Sequence, residues 1–187
     1  MTCIVGLEHE GRVWIGGDSA GIRESDLSLR IMGNSKVFSK KDMLFGSSGS
    51  LRVNQLLRFS LKIPRQKGED DLNYLCTDFV DATRKCLING GNGGTEDHGE
   101  ESMESNLLIG YRGSLYQMEK DYNVIIAKIG FDACGSGENY ALGSLFSTMD
   151  TKLGPKERVA TALSAAAYFS AGVYPPFSII VSKKYKR

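Results

Sequence analysis

Histidine is almost absent from this chain of 187 residues, which contains only His9 and His98. His9 falls in a turn-like segment and His98 in a segment rich in glycine and acidic residues, so we expect both at the surface. Catalysis of the Ser-His-Asp or Cys-His kind would have to use one of these two side chains. We therefore expect any catalytic base to be a group other than histidine.

Cysteine is also scarce, and its spacing argues against metal binding. The four cysteines lie far apart and include no CxxC pair, the spacing that a zinc site commonly uses. They are Cys3, Cys76, Cys86 and Cys134. We expect reduced thiols, no metal and no other cofactor.

Long apolar runs and an excess of one charge are missing as well. No apolar run approaches the ~20 residues of a membrane span, and the N-terminus reaches Glu8 too soon for a signal peptide. The 23 Lys and Arg residues nearly balance the 22 Asp and Glu residues, so no overall field would attract a polyanion. These features predict a cytoplasmic protein that binds neither membranes nor nucleic acids.

Glycine, by contrast, is abundant. The 22 glycines are about 12% of the chain, against a typical ~7%, and they show no collagen-like period. Five of them share residues 90–105 (GGNGGTEDHGEESMES) with five acidic residues. Because the acids lack the order of an EF-hand, this segment is predicted to be a mobile insertion rather than a calcium site.

Hydrophobic periodicity predicts strands and pairs of helices. Strand-like runs cover residues 3–7, 12–16, 36–39, 43–46, 106–111, 115–118, 124–127, 131–134 and 177–182. Helical spacing covers residues 50–62, with Ser50 as the cap, residues 72–86, a stretch opened by residues 135–137, and a stretch that Pro155 starts. Because the helices come in pairs, we expect one domain over residues 1–187 with α+β layers.

Residues 135–140 (GSGENY) form a glycine motif between a strand and a helix. A dinucleotide-binding fingerprint would need a third glycine where Tyr140 stands and a βαβ unit around it. The segment is better explained as a helix N-terminus, whose free amides can bind an anion or a hydroxyl group.

Thr2 directly follows Met1, and threonine is small enough for that methionine to be removed. Removal would place a free α-amine beside the Thr2 hydroxyl. An α-amine has a pKa of about 7.7–8.0, so a substantial fraction is neutral in the cell and can accept the hydroxyl proton. This chemistry needs no histidine.

The surroundings of Thr2 resemble a known family. Residues 2–7 (TCIVGL), 13–20 (VWIGGDSA), 34–38 (NSKVF), 44–49 (LFGSSG) and 134–141 (CGSGENYA) are similar, in order and spacing, to proteasome-type β subunits. The chain resembles in particular the bacterial HslV-type peptidase subunit, which also begins with Met-Thr and has no propeptide. The resemblance implies an α+β fold, the four-layer αββα sandwich of N-terminal-nucleophile hydrolases, with residues 90–105 as an insertion.

The resemblance also implies a role for each matching residue. Thr2 would be the nucleophile, Lys36 the positive charge beside it, and Asp18 the partner that holds Lys36 in place. The backbone N–H of Gly49 would face the developing oxyanion. Ser47 would lie near the floor of the specificity pocket.

Ser136 would bind the Thr2 amine and relay protons. At the residues that support this serine in the family, the present sequence differs. Family members usually carry an aspartate and, three residues later, a serine or threonine at this place. Here Tyr168 and Ala171 stand at those positions. Tyr168 or Ser170 would then supply a neutral substitute for the missing aspartate.

Three functional hypotheses follow from the resemblance. The first is a threonine endopeptidase that cleaves unfolded polypeptides inside a homo-oligomeric, double ring fed by a separate ATP-driven unfoldase. The second is a catalytically inactive structural or assembly subunit, for which Tyr168 argues. The third is a small-molecule amide hydrolase of the same fold. Each site residue also has an ordinary structural explanation. Lys36 and Asp18 could form a surface ion pair, Gly49 could be a turn glycine, and Ser136 could cap a helix.

Overall fold

A computed structural model describes residues 1–23, 25–92, 94–95 and 101–186. The strands are β1 (Cys3–His9), β2 (Arg12–Gly17), β3 (Ala20–Ile22), β4 (Leu29–Ile31), β5 (Val37–Lys40), β6 (Met43–Gly49), β7 (Gly94–Thr95), β8 (Glu101–Ser102), β9 (Ser105–Tyr111), β10 (Ser114–Met118), β11 (Val124–Ile126), β12 (Phe131–Gly135) and β13 (Ser178–Val181). The helices are α1 (Leu51–Phe59), α2 (Asp71–Tyr74), α3 (Val80–Asn89), α4 (Glu138–Ser147) and α5 (Pro155–Phe169), with a π-helical segment (Leu75–Phe79) between α2 and α3.

Two antiparallel sheets form the centre of the fold. The first has the strand order β12-β1-β2-β13, and the second has the order β11-β10-β9-β6-β5. Two short hairpins, β3-β4 and β7-β8, lie outside these sheets. Part of the insertion predicted at residues 90–105, together with His98, lies outside the described residues.

Side-chain alternation along β1 shows how the layers stack. Cys3, Val5 and Leu7 pack with α5 residues such as Val159, whereas Ile4 packs in a separate core with residues of the second sheet. This is the period of two that a strand buried on both faces produces.

The second sheet repeats this arrangement with the other helices. On β6, Phe45 packs with Leu57 of α1 and Phe79 beside α3, while Leu44 points into the core between the sheets. The layers are therefore α1–α3, second sheet, first sheet and α4–α5. The predicted four-layer αββα sandwich is confirmed.

Gly16 allows α5 to lie close to the first sheet. A Cβ at this position would lie 2.6 Å from Cγ1 of Val159 and 2.9 Å from Cδ1 of Leu163. Any larger residue would push the helix away from β2, so glycine is required here by packing.

One local prediction was wrong, and one hairpin was not predicted. The polar segment between β2 and β5, to which the sequence analysis assigned no strand, contains the β3-β4 hairpin. Ser50 precedes α1, but its side chain makes no capping hydrogen bond. Its backbone N–H instead donates to the Glu104 carbonyl at 2.9 Å and to Ser105 Oγ at 3.1 Å, so Ser50 ties the helix start to the second sheet.

Within the described ranges, no helix combines the length and apolar character needed to cross a bilayer.

Candidate active site

Antiparallel pairing brings Thr2, Asp18 and Ser136 together at one end of three neighbouring strands of the first sheet. Thr2 precedes β1, Asp18 follows β2, and Ser136 follows β12. The start of β1 lies opposite the ends of both neighbours, because Ile4 pairs with Gly17 and Cys3 with Gly135. Three residues far apart in sequence therefore meet through sheet register alone.

The second sheet contributes Lys36, which precedes β5. Its Nζ lies 2.8 Å from Thr2 Oγ1 and 2.9 Å from Asp18 Oδ1. The side chains of Lys36 and Asp18 are 2% and 0% exposed. The ordinary surface ion pair considered for these two residues is therefore excluded.

Backbone amides complete the environment of the Asp18 carboxylate. Cys3 N–H donates to Oδ1 at 3.0 Å, and Ala20 N–H donates to Oδ2 at 2.8 Å. These bonds satisfy a buried charge and orient it toward Lys36. Burial lowers the pKa of the Lys36 ammonium, while the charge of Asp18 opposes that change.

Thr2 is held on three sides by its neighbours. Its Oγ1 accepts from Lys36 and donates to the Met1 carbonyl at 2.6 Å, and its N–H donates to Ser136 Oγ at 3.2 Å. The Met1 side chain lies over Gly172, where a Cβ would collide with it. Because Met1 is still attached, the Thr2 nitrogen is an amide and has no basic lone pair.

Ser136 is the second anchor of Thr2, and Ser170 is the residue behind it. Ser136 Oγ donates to the Thr2 carbonyl at 3.3 Å, and Ser170 Oγ donates to Ser136 Oγ at 3.5 Å. Tyr168 is 83% exposed and packs edge-on against Phe169. Of the two neutral substitutes considered for the missing aspartate, Ser170 is the one that contacts Ser136.

Gly49 ends β6 with a backbone conformation that favours glycine. Its φ is +95°, and a Cβ would collide with the carbonyl oxygen of Glu104. Gly49 pairs with Ser105 on β9. Its role as an oxyanion donor stays a prediction.

Ser47 lies behind Asn54, and its place near the floor of a specificity pocket stays a prediction. It is buried, and its Oγ accepts from Asn54 Nδ2 at 2.7 Å. Asn54 Nδ2 also donates to the Lys36 carbonyl at 2.9 Å. Ser47 therefore supports Asn54, a residue that the sequence analysis missed, although a polar residue among the apolar positions Val53 and Leu56 of α1 was a usable signal.

A cavity of about 280 Å³ adjoins this cluster. Lys36 lines it and also contacts Thr2, so this residue is common to the cavity and to the Thr2 site. The lining residues are Met32, Gly33, Asn34, Ser35, Lys36, Leu51, Asn54, Gln55, Arg58 and Phe59. The arrangement therefore combines a hydroxyl, a buried cation that contacts it and a cavity that this cation also lines.

Metal binding finds no support in the described part of the chain. No group of three or more His, Cys, Asp or Glu side chains is placed there to hold a metal ion.

No protein-family model and no curated protein sequence matches the chain. Several solved structures do match it in fold. BPH from Thiobacillus denitrificans, in complex with epoxomicin, is 18% identical with a TM-score of 0.81, over 98% of this chain and 100% of that chain. Eukaryotic HslV from Trypanosoma brucei is 14% identical with a TM-score of 0.67, over 96% and 98%. Anbu, an ancestral β-subunit from Yersinia bercovieri, is 14% identical with a TM-score of 0.68, over 96% and 81%.

Proposed function

We propose that this chain, which has the fold of proteasome-like β subunits, is a threonine peptidase subunit that cleaves unfolded polypeptides with Thr2 as nucleophile. The observation that carries the proposal is the contact of Lys36 Nζ with both Thr2 Oγ1 and the buried carboxylate of Asp18. A buried ammonium held against a hydroxyl stabilises that hydroxyl as its proton leaves.

Removal of Met1 is the activating step. Hydrolysis of the Met1–Thr2 peptide bond converts an amide nitrogen into an α-amine, and it also removes the carbonyl that now accepts the Thr2 hydroxyl proton. The free amine has a pKa of about 7.7–8.0 in the absence of other charges. The nearby Lys36 ammonium disfavours a second cation, so the amine is held neutral and can serve as the base.

The reaction then proceeds by acyl transfer. Thr2 Oγ gives its proton to the amine and attacks the carbonyl carbon of the substrate, and the Gly49 N–H stabilises the oxyanion. The C–N bond breaks, the leaving amine takes the proton, and the substrate acyl group remains esterified to Thr2. Water attacks this ester with the same amine as base and releases the second product.

Ser136 and Ser170 position the amine during these steps. Ser136 Oγ already lies 3.2 Å from the Thr2 nitrogen. Once Met1 is removed, that nitrogen has a lone pair, and Ser136 can donate to it as well as accept from it. Ser170 donates to Ser136 and does not use the Ser136 proton, which can therefore turn from the Thr2 carbonyl to the amine.

Self-association is part of the proposal. Tyr140 and Phe169 stack with ring centroids 5.3 Å apart on the α4–α5 face, and Phe146 and Phe169 are 69% and 63% exposed. Exposed aromatic side chains of this kind are typical of interfaces between subunits. We propose a homo-oligomeric double ring that encloses the Thr2 sites and receives polypeptides from an ATP-driven unfoldase.

A second candidate is a ring subunit without catalytic activity. Tyr168 stands at the position of the family aspartate and is 83% exposed, so this position supplies no carboxylate behind Ser136. If the protein assembles but cleaves nothing, this second function is the correct one.

The test is peptide hydrolysis by the wild type and by Thr2→Ala, with Thr161→Ala as the matched control on the exposed face of α5. We expect cleavage of fluorogenic peptides and of casein by the wild type and by Thr161→Ala. Thr2→Ala should be inactive while keeping its circular dichroism spectrum. Activity that persists in Thr2→Ala would show that Thr2 is not the nucleophile.

A further inference from the structure

The cavity shares Lys36 with the Thr2 site, so a substrate bound at Thr2 can extend one particular side chain toward it. The residue whose carbonyl Thr2 attacks has its Cα one bond from the reacting carbon. Its side chain is therefore the nearest part of the substrate that can enter a cavity lined by Lys36 and Asn54. What fills this cavity decides after which residues the chain is cut.

The charges around the cavity are unbalanced. Lys36 and Arg58 are its two cationic lining residues, and no acidic residue lines it among the parts of the chain that the structure describes. The Lys36 charge is balanced by Asp18 at 2.9 Å. Arg58 forms no ion pair with any described carboxylate, so its charge is left for a ligand.

The guanidinium of Arg58 is fixed in place by neutral groups. Nη2 donates to the carbonyls of Ser35 and Val37, and the carbon of the guanidinium lies 4.7 Å above the ring of Phe38. The buried Nε has no hydrogen-bond partner, and Nη1 forms none within the described ranges. Burial lowers the pKa of Arg58, with no neighbouring carboxylate to offset the loss of solvent.

The remaining lining suits the body of an acidic side chain. Leu51, Phe59 and Met32 provide apolar surface for its methylene groups, and Asn34 and Gln55 offer amide groups. A purely apolar substrate side chain would leave the Arg58 cation desolvated and unpaired, which is unfavourable. A lysine or arginine side chain would be repelled.

We propose that this cavity selects substrates with glutamate or aspartate on the N-terminal side of the scissile bond, and that Arg58 determines this preference. The inference rests on the proposed peptidase function, since it assigns a substrate class to the same site. Because Nη2 is bonded to two carbonyls and Nε is buried, Nη1 is the nitrogen left to bind a carboxylate oxygen, by one charge-assisted hydrogen bond.

The experiment uses four peptides that differ only in the residue before the cleaved bond: Glu, Gln, Leu or Lys. The wild type should cleave the Glu peptide with a kcat/KM about tenfold above that for Gln, a typical effect of one charge-assisted hydrogen bond. In Arg58→Gln this ratio should fall to about one. Arg58→Lys should keep part of it, because the charge remains without the planar geometry.

Arg52→Gln is the matched control. Arg52 lies on the same helix, is exposed, and lines a different cavity, so its replacement changes the net charge equally without touching the site. The Glu/Gln ratio should stay at its wild-type value. Because a ratio within one variant cancels any loss of folded or active protein, a partly unfolded Arg58→Gln still gives a valid answer.

Binding separates the failure of this inference from the failure of the proposed function. Fluorescence anisotropy on the Thr2→Ala variant should show about tenfold tighter binding of the Glu peptide than of the Gln peptide, and Arg58→Gln should remove the difference. Selective binding without cleavage by the wild type would support the cavity assignment and refute the peptidase. Equal Glu/Gln ratios in the wild type and Arg58→Gln, or a preference for Leu or Lys, would overturn the assignment.

Discussion

Asp18 and Lys36 form an ion pair that water barely reaches: their charged atoms are 2.9 Å apart and their side chains are 0% and 2% exposed. Replacing one partner leaves the other charge buried and unpaired. We expect Lys36→Met and Asp18→Asn each to lower the free energy of unfolding by about 3–5 kcal/mol. Urea denaturation followed by circular dichroism measures this.

The exposed pair Arg23–Asp26 provides the control for that prediction, since its side chains are 51% and 49% exposed. Asp26→Asn should change stability little, because solvent screens the pair. If Lys36→Met were as stable as Asp26→Asn, the pair would not have the buried environment described above.

Gly49 should tolerate no side chain. Its φ of +95° and the nearby Glu104 carbonyl both oppose a Cβ. Gly49→Ala should lower the free energy of unfolding by more than the ~1–2 kcal/mol of an unfavourable left-handed backbone, and it should reduce peptidase activity. Thermal unfolding gives the first effect and peptide hydrolysis the second.

Gly143 in α4 is the matched glycine, because no atom beyond its chain neighbours and its own helix backbone lies within 4 Å of a Cβ placed there. Gly143→Ala should raise stability by about 0.5–1 kcal/mol through helix propensity. Equal effects of the two substitutions would contradict the tight contact at Gly49.

Ser170 should matter more than Tyr168 for turnover. Ser170→Ala removes the hydroxyl that donates to Ser136 at 3.5 Å and should reduce kcat about 2- to 10-fold, the range of one neutral hydrogen bond. Tyr168→Phe changes an exposed hydroxyl and should leave kcat unchanged. The reverse order would mean that Tyr168 turns inward in the active protein.

The buried thiol of Cys134 should make the fold sensitive to alkali. Burial raises its pKa to about 12, so the thiol ionises more readily in the unfolded chain. The stability that comes from keeping this thiol protonated in the folded chain is present in full below about pH 8.5, and it is lost as the pH rises toward 12. In Cys134→Ser, the free energy of unfolding should fall less steeply above about pH 9, by up to ~1.4 kcal/mol per pH unit.

Urea unfolding at a series of pH values up to about 10.5 checks this slope. Native alkylation gives an independent control: exposed Cys76 should be modified, while Cys3 and Cys134 should react only after unfolding. Identical slopes with and without the thiol would contradict its assigned environment.

The main features of the fold could be predicted because local patterns agree with the architecture. Alternation at Cys3, Ile4 and Val5 marks a strand buried on both faces, and the apolar spacing before Cys86 marks a helix. The β3-β4 hairpin could not be predicted, since Leu29 and Ile31 are exposed and show no buried face.

The site was predictable only in part. The placement of Thr2, Asp18 and Lys36 follows from the resemblance, and the sheet register explains it. The choice of Ser170 over Tyr168 depends on where the last turn of α5 ends, which no local pattern encodes. Arg58 has the sequence signature of a surface cation, and only the position of Phe38 beneath it shows that it is fixed beside a cavity.

The central claim is that Thr2 becomes an N-terminal nucleophile. The most direct test is the intact mass of the purified protein before and during turnover of a peptide substrate. We predict a mass lower than the full sequence by one methionine, followed by transient addition of the substrate acyl group at Thr2. A chain that keeps Met1 and gains no mass would contradict the account.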